Sequence, residues 1–366
     1  MEKTWKLALF QDEDMEGLVE LCQLQAGKAG VITAEYIDWQ LNKNPAGQAQ
    51  VAVAKETTSD KILGVVWFMP LRVQFENEIV PGSQSLYALV HPDYRRQGIL
   101  SGMAPICHER LRQQGVQFSY GFPNPNSYHP YVKRFGWVDI GDAYLYLRPL
   151  NVRRLIAHRL GHGFFQWSLG TAGQAAKETI FRPKSLRNVI NQFSISEIQT
   201  LDPLLNDFWQ RVKEKYPVML VRDTAFLDWR YTQIPDRSYI FMAAKHRGII
   251  VAYIVLRKVT IEGIHCGMVV DFLVEPTSEG RQAGRALLQK ALFRFELEDL
   301  ELAGCLMLPG VEETKLLVNQ GFVKCPTWLL PQPFPVLLQV DEDAPRRCML
   351  IDISSWFLTM GDYDAV

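Results

Sequence analysis

The sequence of 366 residues lacks three features that would assign it to a class at once. Its net charge is −1, so no excess of basic residues favours nucleic acid as the main partner. No stretch approaches the roughly 18 apolar residues that a transmembrane helix needs, and the first residues carry no signal-peptide core. We therefore expect a cytoplasmic protein without an integral membrane segment.

Cysteine is also scarce, with six residues in the whole chain. None forms a Cys-x-x-Cys pair or has a histidine at ligand spacing, which argues against a zinc site and a disulfide framework. We expect reduced thiols and no metal. The chain is long enough for two domains, because single hydrophobic cores stop growing near about 250–300 residues.

One segment combines a strand, a basic turn and a helix start. An apolar run from Leu86 to Val90 stops at Pro92, and a helical pattern begins at Gly98. The N–H groups and partial positive charge at a helix start bind anions, and a glycine lets a phosphate approach the backbone. Two arginines in the turn add positive charge. This pattern predicts a pyrophosphate site, and the alternative is an ordinary turn with solvated arginines.

The segment that begins at Arg95 resembles the acyl-CoA pyrophosphate loop of the GNAT superfamily of N-acyltransferases, whose pattern is Gln/Arg-x-x-Gly-x-Gly/Ala. Arg95 and Gly98 match, whereas Leu100 stands where the family usually has Gly or Ala. The resemblance implies acetyl-CoA or a longer acyl-CoA as co-substrate, and an oxyanion donor on the strand before the loop. The cofactor-binding residues that it implies in this region are Leu89, Val90, Arg95, Arg96, Gln97, Gly98, Ile99, Leu100 and Ser101.

The chain repeats this plan at matching offsets. The tetrapeptide Tyr36–Trp39 recurs as Phe226–Trp229, and the arginine-to-glycine pattern recurs at Arg281–Ala286. The tryptophan precedes the loop arginine by 56 residues in the first copy and by 52 in the second. The similarity predicts an α/β fold of two tandem GNAT-like domains. Each would have a mixed, mostly antiparallel twisted sheet with a central V-shaped splay, flanked by helices.

We place the first domain at residues 1–150, a linker or lid at 151–189, the second domain at 190–336 and a docked tail at 337–366. The linker could be a helix between the domains, a lid over the acyl site or an interfacial membrane contact. The tail carries apolar residues that a free tail would not, so we expect it to dock as a strand.

The surroundings of the two loops differ. The second loop fits the family pattern better, but the segment Phe122–Tyr131 of the first copy holds more groups that can bind or move protons than residues 306–313. We therefore expect an active first domain and a second domain that supports it or binds the acceptor. The first segment also resembles the Phe-Pro-Asn-x-Asn-Ser stretch of Eis-like acyltransferases, which implies that Asn124 and Asn126 contact the cofactor arm. A turn that caps a helix is the alternative.

Acyl transfer to an amine requires a positioned thioester, an oxyanion donor, a base and an acid. Many GNAT enzymes use a tyrosine four residues before the closing glycine as the acid. That position is Val132 here, and Tyr131 is expected to point elsewhere on the helix. The acid candidates are Tyr131, Tyr128 and His129. The base candidates are His91, His129 and Tyr87, and resemblance to Eis-like tails adds Asp362, Asp364 and the Val366 carboxylate.

Together these patterns predict an acyl-CoA-dependent N-acyltransferase that acts by direct attack in a ternary complex. The acceptor would be a primary amine of an amino sugar, or a Lys- or Orn-type amine of a peptide or small metabolite. One alternative is a FemX-like aminoacyl transferase, although that group usually lacks a pyrophosphate loop. A non-catalytic CoA-binding or scaffold protein is the other, because the usual tyrosine is missing. The oligomeric state stays open.

Overall fold

Fifteen strands join into one sheet in the computed structural model, which describes residues 4–26, 32–160, 192–330 and 332–363. Most neighbouring strands are antiparallel. In chain order the strands are β1 (Trp5–Leu9), β2 (Gln50–Glu56), β3 (Ile62–Phe75), β4 (Glu78–Val90), β5 (Phe118–Gly121), β6 (Val138–Pro149), β7 (Ser194–Glu197), β8 (Val218–Leu220), β9 (Ile240–His246), β10 (Ile249–Ile261), β11 (Ile264–Val274), β12 (Leu302–Met307), β13 (Val323–Lys324), β14 (Phe334–Val340) and β15 (Trp356–Phe357).

Helices flank this sheet. They are α1 (Met15–Ala26), α2 (Ala34–Asn42), α3 (Ile99–Gln113), α4 (Pro125–Phe135), α5 (Val152–Leu160), α6 (Leu204–Val212), α7 (Thr224–Tyr231), α8 (Ser278–Leu297), α9 (Glu312–Asn319) and α10 (Arg347–Leu350). No helix in the described ranges has both the length and the apolar character of a membrane-spanning segment. Helix α5 begins the predicted linker, whose residues 161–189 lie outside the described part of the chain.

The first half of the sheet has helices on both faces. Val66 and Phe68 of β3 pack towards α3, whereas Val65 and Trp67 pack towards α1 and α2. Successive side chains of a strand point to opposite faces, so a strand covered on both sides is apolar nearly throughout. This explains why 13 of the 14 residues of β3 are buried.

The key irregularity of the sheet lies between β4 and β5. These parallel strands pair only from Ser83 to Ser85 and from Ser119 to Gly121. The register between β3 and β4 shifts at Leu86, which is the extra residue of a β-bulge. Strand β4 then continues to Val90 while β5 ends, so a V-shaped opening separates β4 from the segment after β5.

The second half of the sheet repeats this arrangement. Strands β9, β10, β11 and β12 follow one another in the sheet as β2, β3, β4 and β5 do, and β11 and β12 are the parallel pair. The repeated tryptophans meet: the rings of Trp39 and Trp229 stack with centroids 4.5 Å apart. Each indole N–H donates to the backbone carbonyl of the other residue, at 2.9 and 3.3 Å. The predicted fold class is confirmed.

A strand from the end of the chain completes the first half. Strand β14 lies between β5 and β6 and is antiparallel to both, with Leu337 opposite Gly121 and Asp139. Further along, β6 pairs with β12 and β13 of the second half. Strand β14 crosses the boundary placed at residues 336/337, and the division into domains stays a proposal.

Truncation of Leu337 to alanine tests the structural role of β14. The side chain is fully buried among the residues that pack against α3. Leu337→Ala should lower the free energy of unfolding by about 2–5 kcal/mol, measured by urea denaturation, because it leaves a cavity in that core. The control is Gln339→Ala on the same strand, a half-buried position at which we expect less than about 1 kcal/mol. Equal losses would contradict the placement of β14.

Candidate functional site

A cavity of about 490 Å³ occupies the opening between β4 and the end of β5. Its walls come from residues 84–89 of β4, from Gly121–Asn124 and from one face of α4. Tyr363, near the end of the chain, also lines it. The cavity exists because the bulge at Leu86 turns β4 away from its parallel neighbour.

The backbone of β4 supplies hydrogen-bond donors on the side of this opening. The His91 N–H donates to the Leu63 carbonyl of β3, at 2.8 Å. Since N–H groups alternate in direction along an antiparallel strand, the N–H of Leu89 also points to β3, whereas those of Ala88 and Val90 point away from it. Leu89 and Ala88 line the cavity, so the backbone donor on this wall is Ala88.

The turn after β4 has the geometry of an anion site. A short 3-10 helix, Pro92–Tyr94, leads to Arg96 with φ +64° and Gly98 with φ +80°, and α3 begins immediately afterwards. No side chain caps α3 and no acidic residue lies in its first turn. The N–H groups in the first turn of any helix have no acceptor within the helix, and here no side chain caps them.

The side chains of this turn leave the helix start accessible. A Cβ atom added at Gly98 would meet nothing within 4 Å. The Arg95 guanidinium folds back, and its Nε donates to the Val90 carbonyl at 3.3 Å. The predicted loop residues Arg95, Arg96, Gln97, Gly98 and Ser101 are exposed, Leu100 is half-buried, and Ile99 packs in the core below.

Tyr131 lies in the wall of the cavity. Its hydroxyl is 2.8 Å from Ser85 Oγ, at the last paired position of β4. The expectation that Tyr131 points elsewhere is wrong, because Ser127 and Tyr131 are one helical turn apart and share the face of α4 that lines the cavity. Val132, at the family position, packs among apolar side chains instead. Burial raises the pKa of Tyr131 to about 12, so the phenol stays protonated.

Of the other candidate acids and bases, Tyr87 lines the cavity and packs its ring on Trp67, with centroids 4.3 Å apart. Tyr128, His129 and His91 lie outside the cavity wall. The Tyr128 hydroxyl donates to Asp139 Oδ2 at 2.5 Å, and its ring contacts that of the exposed His129. The His91 Nδ1 accepts the Asp93 N–H at 3.4 Å where β4 ends. Tyr128, His129 and His91 therefore contact neighbouring residues outside the cavity.

Asn124 has a structural role that the alternative interpretation predicted. It is the N-cap of α4, and its Oδ1 accepts the N–H groups of Asn126 and Ser127 at 2.9 and 3.0 Å. Both asparagines are exposed, but only Asn124 is among the described residues that line the cavity. The tail candidates Asp364 and Val366 lie outside the described residues and stay predictions.

The sequence patterns did not indicate several residues of the wall, among them Ser85, Gln84 and Tyr363. Ser85 matters because pairing between β4 and β5 ends there, and no local pattern marks such a point. Tyr363 is 278 positions from Ser85 in the chain. The apolar residues of the tail were the only sequence signal that the segment around Tyr363 docks on the rest of the protein.

The prediction of a pyrophosphate loop in the second domain is wrong. Arg281–Ala286 lies inside α8, whose start is capped by Thr277 Oγ1 accepting the Gly280 N–H at 3.0 Å. Arg281 pairs with Glu312 at 3.1 Å, and a Cβ atom at Gly284 would come within 2.6 Å of Val274. This helix begins earlier than its counterpart and is already capped, so it forms no open anion site.

Comparison with protein families matches both halves of the chain. Residues 10–139 match an acetyltransferase (GNAT) domain, and residues 199–319 match the acetyltransferase (GNAT) family. The chain belongs to the GNAT N-acyltransferases and carries two GNAT domains in tandem. No curated protein matches the sequence significantly.

Solved structures share this fold at low sequence identity. A probable N-acyltransferase of unknown function from Enterococcus faecalis is 14% identical with a TM-score of 0.63, over 92% of this chain and 72% of that one. Saccharomyces cerevisiae N-myristoyltransferase with bound myristoyl-CoA is 11% identical with a TM-score of 0.62, over 92% and 79%. A GCN5-related N-acetyltransferase from Anabaena variabilis is 10% identical with a TM-score of 0.63, over 92% and 72%.

A methyl group at Gly98 tests the anion site. Gly98→Ala should weaken acetyl-CoA binding at least about tenfold, roughly 1.4 kcal/mol, because the Cβ projects where a phosphate would lie. Isothermal titration calorimetry measures the affinity. Gly115→Ala is the matched control: Gly115 follows the other end of α3, has φ +76° and also faces open space. Similar affinities for the two variants would contradict the assignment.

Proposed function

We propose that the first domain transfers an acyl group from acyl-CoA to a primary amine, by direct attack while both substrates are bound. One observation carries the proposal: the uncapped start of α3 and the Tyr131–Ser85 pair lie near the two ends of the stretch of β4 that no longer pairs with β5. Ser85 and Val90 are about 17 Å apart along an extended strand. A donor with its pyrophosphate at α3 would thus run along β4 towards Tyr131.

We assign each step of the transfer to a group in this cavity or beside it. The pyrophosphate binds the N–H groups of α3, and the cofactor arm lies along β4 beside the Ala88 N–H. The amine nitrogen attacks the thioester carbon, a C–N bond forms, and the C–S bond breaks. The nitrogen releases its second proton to solvent as the amide forms. The protonated Tyr131, oriented by Ser85, gives its proton to the departing thiolate and regains one from solvent.

The base is proposed to come from the tail. Among the described residues, no Asp, Glu or His lines the cavity. Tyr363 does line it, and Asp364 is the next residue in the sequence. Asp364 or the Val366 carboxylate would therefore accept the proton of the ammonium group. Asp362 is unsuited to this role, because it is buried against Arg222 at 2.6 Å.

The acceptor is proposed to be an amino sugar or a Lys- or Orn-type amine, and the donor acetyl-CoA or a longer acyl-CoA. Apolar side chains in the wall support an acyl group there, including Leu86, Phe122, Trp137 and Leu337. The cytoplasm stays the proposed compartment.

Ligand-dependent melting tests the donor. Acetyl-CoA, myristoyl-CoA and CoA are added separately, and the melting temperature should rise with CoA and rise further with the preferred acyl-CoA. Release of CoA is then followed with glucosamine, L-lysine and L-ornithine. Melting shifts with no release beyond the amine-free control would favour a CoA-binding scaffold, and no shift with any of the three would contradict the proposal.

Tyr131→Phe tests the acid. We expect kcat to fall about 10²-fold with little change in the KM for acetyl-CoA, because the proton donor to the thiolate is lost. Since the pKa of Tyr131 is about 12, its ionisation should cause no loss of kcat below about pH 11 in the unmodified protein. The control is Tyr128→Phe, which removes from the same helix a phenol that donates to Asp139. This variant should retain kcat. Equal losses in both variants would exclude Tyr131 as the specific donor.

A further inference from the structure

The splay of the second domain is occupied by the chain itself. Strands β11 and β12 pair only through Cys266–Val269 and Leu302–Cys305. Past these pairs the C-terminal segment packs against both strands: Thr359 bridges to Met307, and the Leu308 N–H donates to the Leu358 carbonyl at 3.4 Å. Every residue from 356 to 362 is buried. The second cleft thus holds an internal segment where the first has a cavity.

A buried ion pair fixes this segment. Arg222 Nη2 donates to Asp362 Oδ2 at 2.6 Å, and Arg222 Nε donates to Asp271 Oδ2 on β11 at 3.2 Å. The same Asp362 oxygen accepts the Thr359 N–H at 2.8 Å. The side chains of Arg222 and Asp271 are 0% exposed, and that of Asp362 is 1% exposed. Charges so completely removed from water tolerate little displacement, because a broken pair leaves an uncompensated charge.

The same residue is held from the first domain. The Asp362 carbonyl accepts Gln84 Nε2 at 2.8 Å, from the residue of β4 next to Ser85. Arg230 of α7 adds a hydrogen bond from Nη2 to the Tyr363 carbonyl at 3.4 Å. The Tyr363 ring then enters the first cavity and packs edge-to-face on Phe122, with centroids 4.8 Å apart. Consecutive residues, 362 and 363, therefore belong to the two clefts.

We propose that Asp362, anchored on Arg222 in the cleft of the second domain, positions Tyr363 as a specificity-determining wall of the first cavity. The inference rests on the proposed function and names a role for the second domain within it. Tyr363 lies at the apex of the β4–β5 splay, away from the α3 end that holds the cofactor phosphates. The anchor therefore acts on the amine and not on the binding of CoA.

Asp362→Asn tests the anchor with the least disturbance. The amide keeps the size of the side chain, and Arg222 keeps Asp271 as a partner. The matched control is Glu313→Gln, which changes another fully buried carboxylate of the second domain and leaves its partner Lys215 paired with Glu312. Melting temperatures identify variants that fold. Thr359→Val gives a second measurement, because it removes the hydroxyl that donates to Asp362 Oδ2 and accepts from Arg222 Nη2 and the Gly361 N–H.

Acetyl-CoA and the fastest amine of the panel serve as substrates. Asp362→Asn should raise the amine KM about tenfold and leave the acetyl-CoA KM within twofold, and Thr359→Val should act in the same direction. Tyr363→Ala should match Asp362→Asn, and the double variant should be no worse than the poorer single variant, because both remove one interaction. Amide hydrogen exchange at residues 356–363 should rise in Asp362→Asn and Thr359→Val, and stay unchanged in Glu313→Gln.

Additive losses, an equal rise in both KM values, or a Glu313→Gln profile like that of Asp362→Asn would overturn the positioning role. Faster exchange without a change in the amine KM would overturn it as well. The proposed function fails separately, through an unmodified protein that neither binds acetyl-CoA nor releases CoA.

Discussion

The loss of pairing between β4 and β5 is the constraint on which the site depends. Two parallel strands share only three residue pairs before the bulge at Leu86 turns β4 away. Parallel strands normally continue side by side, so this departure leaves backbone donors directed into an opening. Tyr131 and Ser85 meet at its apex, and the uncapped start of α3 lies at its far end.

The second domain shows what happens when the same opening is filled. Its helix start is capped by Thr277, and its splay receives residues of the C-terminal segment. The sheet of the first half is completed by β14, and the splay of the second half is filled by the C-terminal segment. This mutual dependence gives a physical reason for a tandem arrangement in which one cleft is open and the other is structural.

Much of the fold could be predicted from the sequence because its signals are local or repeated. The offsets between Trp39 and Arg95, and between Trp229 and Arg281, indicated two copies, and the turn at Gly98 indicated the anion site. The cap and ion pair that close the second helix start come from Thr277 and Glu312, which the loop pattern does not include. The Thr277 cap is local but precedes the six-residue pattern, whereas Glu312 is 31 residues from Arg281 and no pattern within one segment can report that contact.

The face on which Tyr131 lies was missed for a related reason. Counting back from Gly136 assumes the family's helix phase, whereas the phase here is fixed by contacts at both ends of α4. A shift of one residue turns a helical side chain by about 100°, which is enough to exchange Tyr131 for Val132. Tyr363 reaches the cavity only through the docked C-terminal segment.

The central claim is that one cleft of the two binds the donor. Titration calorimetry of the full chain with acetyl-CoA measures this directly through the stoichiometry. We expect one molecule bound per chain, because residues 356–362 occupy the second cleft. Two molecules per chain, or one that remains bound with unchanged affinity when the α3 start is blocked, would contradict it.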